Sequence, residues 1–492
     1  MDILTAIVDF LVDEIFSKPF YLVGLMTAIG LIALRKPLSA IVGGTLKATM
    51  GFLILVVGAV TVINALDPLG KLILGATGAK GVVPLNEAIV ALAQSQYGAV
   101  TAYLMFLGFL VSLAIARFTN LRYVFLTGHH IFYMATMLAV ILVTVKLTDA
   151  YAVVVGAILL GTIMVIMPAF AQPWMRKVTG GEALAMGHFG SLGYIAAGVT
   201  GQVVARTAGK GKSTEEIEFP EGLRFLREPM VGTAVAMFVI YLVFAVWYLA
   251  RVGEVAAVEG VGLAEGTTWA SYLMAQVLNA LNFGVGVAVI LLGVRTIIGE
   301  IVPAFAGIAE RVVPNALPAL DCPVSFPYAP NAVLIGFLAS VVGGLASLAV
   351  LSIFEPALGL ALILPGMVPH FFTGGTAGVF GNATGGRWGA VLGGIVNGVL
   401  ITFLPAFLLI VLGNLGFLNT TFGDADFGWY GIVIGNVASS LQTSGQIVVS
   451  VAVLIVAAIL IAFASWFQRR YVETGWSPGG EAMPEPAPEA AS

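Results

Sequence analysis

Apolar tracts about 20 residues long recur along the chain, and no other feature limits its fold as strongly. They lie at residues 98–117, 123–145, 150–172, 229–251, 270–298, 331–354, 388–412 and 445–467. Two further apolar segments occupy residues 21–34 and 38–66. Because a helix needs about 20 apolar residues to cross a bilayer core, these tracts predict an all-α polytopic membrane protein with about ten or eleven transmembrane helices.

Composition supports the same class of protein. Charged residues make up 10% of the 492 residues and hydrophobic residues 59%, whereas soluble domains carry roughly 25% charged residues. The net charge of −4 is too small to indicate a nucleic-acid partner. A single cysteine excludes an intramolecular disulfide and fits a cytoplasmic membrane protein.

Charged segments outside the tracts predict the orientation of the chain. Residues 2–17 place apolar side chains at helical spacing opposite acidic ones, which indicates an interfacial helix rather than a signal peptide. The loop at 206–228 carries five basic residues, which predicts a cytoplasmic position. Residues 471–492 are expected to form a disordered cytoplasmic tail, acidic and rich in Pro and Ala from Ser477 onward.

Segments rich in Pro and Gly interrupt the apolar tracts. Residues 68–84 read as a broken or interfacial segment, and residues 300–330 and 356–387 as hairpins and interfacial pieces. The stretch 318–331 holds four prolines and a carboxylate, Asp321. A broken backbone at membrane depth is tolerated only where protein or a wet cavity satisfies its polar groups. We therefore expect this stretch to form one wall of a substrate site near the middle of the bilayer.

Weak internal matches indicate that the chain is duplicated. When the chain is aligned with itself so that Pro68 meets Pro303, Asn86 meets Asp321. Slightly longer displacements align 126–128 with 364–366 and 187–188 with 435–436. These matches predict two inverted structural repeats, residues 1–205 and 229–470 with the last helix, joined by the loop at 206–228. Many transporters hold substrate between discontinuous helices at corresponding positions of two halves. The pairs Asn86-Glu87 and Asp321-Cys322 are the corresponding positions here.

Asp321 is the strongest polar candidate for the site. An acid within an apolar segment is a functional hypothesis by default, and the alternative is a carboxylate that caps a helix. For Cys322 the structural interpretation is preferred, because a buried cysteine usually behaves as a small apolar residue.

Histidines supply further candidates. His129 lies one helical turn before Tyr133, so both could contact the hydroxyls of a sugar from one face; the alternative is an interfacial histidine. His130 is less favoured, since adjacent residues of a helix do not face one site. His188 and Phe189 lie in a Gly-rich piece that could offer free backbone N–H groups to an anion or form an exposed amphipathic helix.

Residues 369–382 resemble the tip of a re-entrant hairpin. Thr373 and Thr376 could offer hydroxyls to a polar substrate, or the segment could be a tight turn without a ligand. There is no HExxH, no P-loop, and no set of Cys and His at metal-ligand spacing, so neither a metal nor a cofactor is expected.

Several motifs together resemble the membrane IIC component of the L-ascorbate phosphotransferase system. They are LRK at 34–36, LTGHHIF at 126–132, MGH at 186–188, LDC with APNAV at 320–333, and LPGMVPHFFTGGTAGVFGN at 364–382. The resemblance runs from about residue 10 to 470. It implies a homodimer in the bacterial inner membrane, in which each protomer has a dimerising scaffold and a substrate-carrying core.

The resemblance also implies a function and a set of site residues. This chain would translocate the sugar, and a cysteine of a separate IIB protein would donate the phosphoryl group to it. IIA would supply that phosphoryl group to IIB. This chain would therefore be the non-phosphorylated membrane subunit. Carried over by position, the site residues are Asn86, Glu87, His129, Tyr133, His188, Phe189 and Asp321. The ascorbate transporters that the chain resembles carry glutamine at the positions of Tyr133 and Phe189. The resemblance therefore leads us to expect L-ascorbate or a related sugar acid, lactone, pentitol or hexitol as the ligand.

Two other functions stay open from the residues alone. An ion-coupled permease would use Asp321 and Glu87 as proton or sodium carriers. An intramembrane enzyme would use Asp321 as a catalytic group together with the histidines, without vectorial movement of its substrate.

Overall fold

A computed structural model of the chain describes residues 19–77, 81–217, 229–413 and 420–479. The interfacial helix predicted at 2–17 lies outside the described residues, and so does part of the predicted cytoplasmic loop, at 218–228. Most of the described chain is helical, and its strands are two to four residues long.

The elements follow one another in two series. The first is α1 Pro19–Ala33, α2 Leu38–Thr77, β1 Gly81–Pro84, α3 Asn86–Phe118, β2 Tyr123–Phe125, α4 Gly128–Thr144, α5 Asp149–Thr179, β3 Ala185–Met186 and α6 Ser191–Ala208. The second is α7 Pro229–Val252, α8 Glu254–Gly260, α9 Trp269–Val312, β4 Leu317–Leu320, α10 Pro330–Leu358, β5 Leu362–Ile363, α11 Met367–Pro369, α12 Gly375–Leu408, β6 Thr420–Thr421, α13 Ala425–Ser440 and α14 Gln446–Phe467. Short 3-10 helices at Thr214–Glu216 and Cys322–Tyr328 and π-helical turns at His370–Gly374 and Gln468–Val472 are also present.

Several helices have the length and apolar character of membrane spans. Within the described residues there are six such ranges: Leu38–Gly58, Gln96–Phe118, Asp149–Thr179, Pro330–Phe354, His370–Val411 and Gln446–Val472. Two shorter apolar helices lie at Gly128–Thr144 and Met237–Val252. The prediction of an all-α, multi-pass membrane protein is confirmed, and the count of ten or eleven spans stays a prediction.

At Gly386 (φ 65°, ψ −150°) the backbone breaks, so α12 consists of two helices in sequence.

Two three-stranded parallel sheets hold the breaks between helices together. In one sheet β1 lies between β5 and β6, and in the other β4 lies between β2 and β3. Each central strand comes from one half of the chain and both of its neighbours come from the other half. The strands β1, β2 and β3 of the first half correspond in order to β4, β5 and β6 of the second, and nearly the same displacement along the chain separates the members of each pair. This exchange of strands is the pattern that a duplicated chain predicts.

Three sequence predictions differ from the structure. Residues 68–84 are not one broken segment: α2 passes through Pro68 to Thr77, packed along α9 and α7, and β1 follows. α9 extends to Val312, so the hairpin expected from residue 300 begins later. The match of 187–188 with 435–436 is wrong, because the correspondence of β3 with β6 aligns Gly187 with Phe422, whereas residues 435–436 lie within α13.

The first part of the predicted disordered tail is ordered. Arg176, near the end of α5, donates hydrogen bonds to the carbonyl oxygens of Val472 and Trp476. Lys177 donates another to the carbonyl oxygen of Pro478. Residues 471–479 therefore pack against α5, and the expectation of disorder from residue 471 is wrong for this part.

Candidate functional site

A cavity of about 380 Å³ lies at the carboxyl ends of the short strands. The residues after β1, β2, β3, β4 and β6 all contribute to its wall, since the carboxyl ends of parallel strands meet at one edge of a sheet. Its lining residues are Asn86, Glu87, Leu126, Thr127, His129, His130, Tyr133, His188, Arg295, Leu320, Asp321, Pro323, Val324, Val368, Pro369, Phe372 and Asp424.

Asp321 both caps a helix and faces the cavity, so the two interpretations weighed for it hold together. Its Oδ1 accepts a hydrogen bond of 2.7 Å from the backbone N–H of Cys322, at the start of the 3-10 helix. Its carboxylate also lies 3.6 Å from Nε2 of His129 and 3.8 Å from Nε2 of His188. Both distances exceed those of hydrogen bonds, and a polar ligand atom could bridge each pair.

Backbone contacts fix the tautomers of two buried histidines. The N–H of Gly190 donates to Nδ1 of His188 at 3.0 Å, and the N–H of Phe189 donates to Nδ1 of His130 at 3.3 Å. A ring nitrogen that accepts an N–H carries no proton, so in the neutral imidazole Nε2 is the donor. Both donors point to carboxylates: Nε2 of His130 is 3.8 Å from Oδ2 of Asp424, and His188 faces Asp321.

The same contacts bear on metal binding. Ligand atoms of His130, His188 and Asp424 lie within 4.8 Å of one another, so the group could hold an ion by distance alone. A histidine that coordinates a metal usually donates its other ring N–H to an acceptor. Here Nδ1 accepts instead, which leaves the proton on the nitrogen that would have to coordinate. The cluster is suited to donating hydrogen bonds and not to holding a metal.

Asn86 ties the first half of the chain to the second. Its Nδ2 donates to Oδ2 of Asp424 at 2.8 Å, and its Oδ1 accepts from the N–H of Gly423 at 2.8 Å. Asn86 is held there because it begins α3 directly after β1, whose neighbour β6 leads into residues 423–424.

Several polar atoms in the cavity wall are unsatisfied. Oε2 of Glu87, the hydroxyl of Tyr133 and Nδ1 of His129 are buried and have no hydrogen-bond partner among the described residues. Thr127, at the same wall, has an unpartnered Oγ1. Buried polar groups are nearly always paired with protein, water or ligand, so this wall is built for a hydrophilic occupant.

Asp426 lies outside the cavity and positions one of its walls. It accepts hydrogen bonds from the backbone N–H groups of Ser191 at 2.9 Å and Leu192 at 3.1 Å, and from Nε1 of Trp429 at 2.9 Å. These contacts satisfy the free N–H groups at the start of α6. Since His188 lies just before that helix, Asp426 holds the His188 loop from the other half of the chain.

Comparison with known proteins identifies the family. EIIC-GAT, described as a PTS system sugar-specific permease component, matches residues 14–426. The chain belongs to the EIIC-GAT family. A curated relative, the "Ascorbate-specific PTS system EIIC component" of Mycoplasma pneumoniae, is 24% identical over 442 residues, or 82% of this chain. The alignment covers 66% of that relative's length, just under two thirds.

The EIIC-GAT chain brings most of the predicted site residues into one cavity. Asn86, Glu87, His129, Tyr133, His188 and Asp321 all line it. Phe189 is fully buried behind the wall, stacked on Phe125 with ring centroids 4.7 Å apart. The hydroxyls of Thr373 and Thr376 donate to backbone carbonyl oxygens one turn earlier and do not line the cavity. Pro369 and Phe372 take their place in the wall.

Three titratable residues that line the cavity of this EIIC-GAT chain were not among the predicted site residues: His130, Asp424 and Arg295. His130 was set aside because adjacent helical residues diverge, yet both histidines reach the cavity from the first turn of α4. Asp424 and Arg295 did carry a signal, since each is a charged residue next to apolar sequence and such residues are expensive in a membrane.

Proposed function

We propose that the protein is the sugar-specific membrane permease (EIIC) of a phosphoenolpyruvate-dependent phosphotransferase system. It translocates L-ascorbate or a related sugar acid or lactone, and a separate IIB protein phosphorylates this substrate. One observation carries the proposal: the broken segments at Asn86 and Asp321 face one polar cavity together with His129 and His188. Membership of the EIIC-GAT family supports the transport class. By analogy with the family it acts as a homodimer in the bacterial cytoplasmic membrane, with IIA and IIB as partners.

One residue of the cavity wall, Arg295, suits an anionic substrate. Asp321 faces two histidines, and Asp424 accepts a hydrogen bond from Asn86. Arg295 is the lining residue with a permanent positive charge, and none of the described ion pairs includes it. Ascorbate is a monoanion at neutral pH, and a guanidinium is well suited to bind such a group.

The ligand's hydroxyls suit the other donors and acceptors. The Nε2–H of His188 would donate to an oxygen of the ring, His129 would contact a neighbouring oxygen, and Glu87 with Tyr133 would contact hydroxyls on the opposite side. Discrimination against ligands that lack these partners follows, because unpaired buried polar groups are costly.

In this proposal Asp321 assists phosphoryl transfer. In the proposed step, a hydroxyl of the substrate attacks the phosphorus held on the cysteine of IIB. The oxygen–phosphorus bond forms, the sulfur–phosphorus bond breaks, and Asp321 accepts the hydroxyl proton. The added negative charge then opposes release of the product to the outside. Movement of the core relative to the scaffold would give alternating access.

An uptake assay with product analysis tests this function. Asp321→Asn and His129→Ala, at unchanged abundance in the membrane, should abolish or strongly reduce the formation of sugar phosphate. Full activity in both variants would remove the site assignment. Uptake of unmodified sugar that stops when the proton gradient is dissipated would instead indicate an ion-coupled permease, for which Glu87, with its buried Oε2, is the favoured carrier.

A further inference from the structure

A second polar cavity, of about 410 Å³, lies behind the first one. Tyr123 and Leu317, at the starts of β2 and β4, line the second cavity, whereas Leu126, just after β2, and Leu320, at the end of β4, line the first. A strand advances about 3.3 Å per residue, so the two cavities are separated by roughly 10 Å of sheet. The remaining wall consists of Asn120, Arg122, Gln172, Arg176, Asn315, Gln468, Val472 and Glu473.

The wall of this second cavity has unmet hydrogen-bonding atoms of both kinds. Gln172 is 1% exposed; its Nε2 donates to the carbonyl oxygen of Leu184, while its Oε1 has no partner among the described residues. Oδ1 of Asn120 and Nε of Arg176 are likewise buried without a described partner. An occupant that satisfies them must carry hydroxyl donors as well as an acceptor for a guanidinium N–H.

The charges favour an anion as that acceptor. Glu473 is the acidic residue of the wall, and its Oε1 already accepts a hydrogen bond of 3.1 Å from Asn120. Arg176 uses its terminal nitrogens to hold carbonyl oxygens such as that of Val472 at 2.9 Å, which leaves its charge uncompensated. Arg122 is exposed and belongs to none of the described ion pairs. The cavity thus presents two positive charges against one negative charge.

The two helix ends that lead into the cavity wall have the character of a membrane interface. Phe118, at the end of α3, is 85% exposed, and Trp466, at the end of α14, is 51% exposed. The amide of Asn120 donates to the carbonyl oxygen of Ser465, which brings these two helix ends together. Aromatic side chains are enriched at the level of lipid headgroups, and basic pockets between membrane helices bind anionic headgroups.

We propose that this second cavity binds the headgroup of an anionic phospholipid that carries free hydroxyls, of the phosphatidylglycerol type. Its phosphate contacts Arg122 and Nε of Arg176, and its hydroxyls donate to Gln172 and Asn120. The acyl chains leave along Phe118 and Trp466. The site is independent of the substrate cavity, so it stands or falls separately from the transport function proposed above.

Native mass spectrometry of the purified full-length protein tests this site, using titrations with dioleoylphosphatidylglycerol and dioleoylphosphatidylcholine. Arg122→Gln should weaken retention of phosphatidylglycerol about tenfold, as expected for the loss of one charged hydrogen bond. Arg117→Gln is the matched control, because Arg117 is exposed in the last turn of α3, carries the same charge and does not line the cavity. Gln172→Met tests the hydroxyl contact and should weaken phosphatidylglycerol more than dioleoylphosphatidic acid, which has no glycerol headgroup.

The outcomes separate the proposal from its rivals. Selective loss in Arg122→Gln, with Arg117→Gln unchanged, supports the site. Equal loss in both variants would reduce the effect to general surface charge and overturn it. Equal binding of phosphatidylglycerol and phosphatidylcholine would contradict it too, as would equally tight binding of soluble glycerol 1-phosphate, which would make the ligand a free phosphate ester.

Discussion

Nδ2 of Asn86 donates a hydrogen bond of 2.8 Å to Oδ2 of Asp424, although the two residues are 338 positions apart in the chain. Both side chains are buried, and Nε2 of His130 lies 3.8 Å from the same carboxylate oxygen. The contact fastens the first half of the chain to the second at the wall of the candidate substrate cavity. The free energy that this hydrogen bond contributes to stability can be measured directly.

A double-mutant cycle of Asn86→Ala and Asp424→Ala should give a coupling free energy of about 0.5–3 kcal/mol, because the two side chains form a buried hydrogen bond. The measurement is reversible unfolding of the purified protein in detergent. Asn436→Ala serves as a control, since that exposed amide donates to the backbone of its own helix. Additive effects of the two substitutions would contradict the link.

Asp426→Ala should destabilise the protein by about 2–4 kcal/mol, because it leaves the N–H groups of Ser191 and Leu192 without their acceptor. The start of α6 and the adjoining His188 would then lose their support, so substrate binding should weaken as well. Thermal unfolding and a binding titration on one preparation measure both effects. Asp149→Ala, at the exposed start of α5, should change neither.

Arg295→Gln should raise the KM for L-ascorbate about tenfold and leave the affinity for a neutral pentitol unchanged, since only the anion loses a charged partner. Arg206→Gln removes the same charge at the exposed end of α6 and should have no such effect. Uptake kinetics in cells with matched amounts of protein provide the measurement. A change of equal size for both substrates would show that Arg295 acts through the structure and not through charge.

Gly386→Ala should be more destabilising than Gly209→Ala. Both glycines have a positive φ, 65° and 80°, which strains any L side chain. A Cβ at Gly386 would also collide with the backbone of Gly211 and Lys212, whereas nothing lies near a Cβ at Gly209. The difference in thermal stability between the two variants measures how much the packing of residues 209–217 against the break in α12 contributes. Equal losses would mean that this packing adds no stability.

The sequence predicted the parts of the fold that depend on long apolar tracts. The tract at 445–467 coincides with α14 to within a residue, and the tracts at 98–117 and 150–172 lie inside the longer helices α3 and α5. The sheets could not be predicted, because strands such as Ala185–Met186 are too short for a hydrophobic period to show. Each central strand pairs with strands from the other half of the chain, and the sequence around a strand does not indicate such distant partners.

The site was predicted where a polar residue follows a break marked by proline, as at Asn86 and Asp321. Asp424 was missed because the internal match of 187–188 with 435–436 aligned His188 with Asn436. The correspondence of β3 with β6 instead aligns His188 with Gly423, next to Asp424. Thr373 and Thr376 were overvalued, because a helical threonine can satisfy its hydroxyl on the preceding turn, as both do.

An experimental structure of the protein with L-ascorbate bound tests the central claim most directly. The account predicts ligand density in the cavity, within hydrogen-bond distance of Asp321 and His188 on one side and of Glu87 or Asn86 on the other. Density located elsewhere, or touching residues of only one half of the chain, would contradict it.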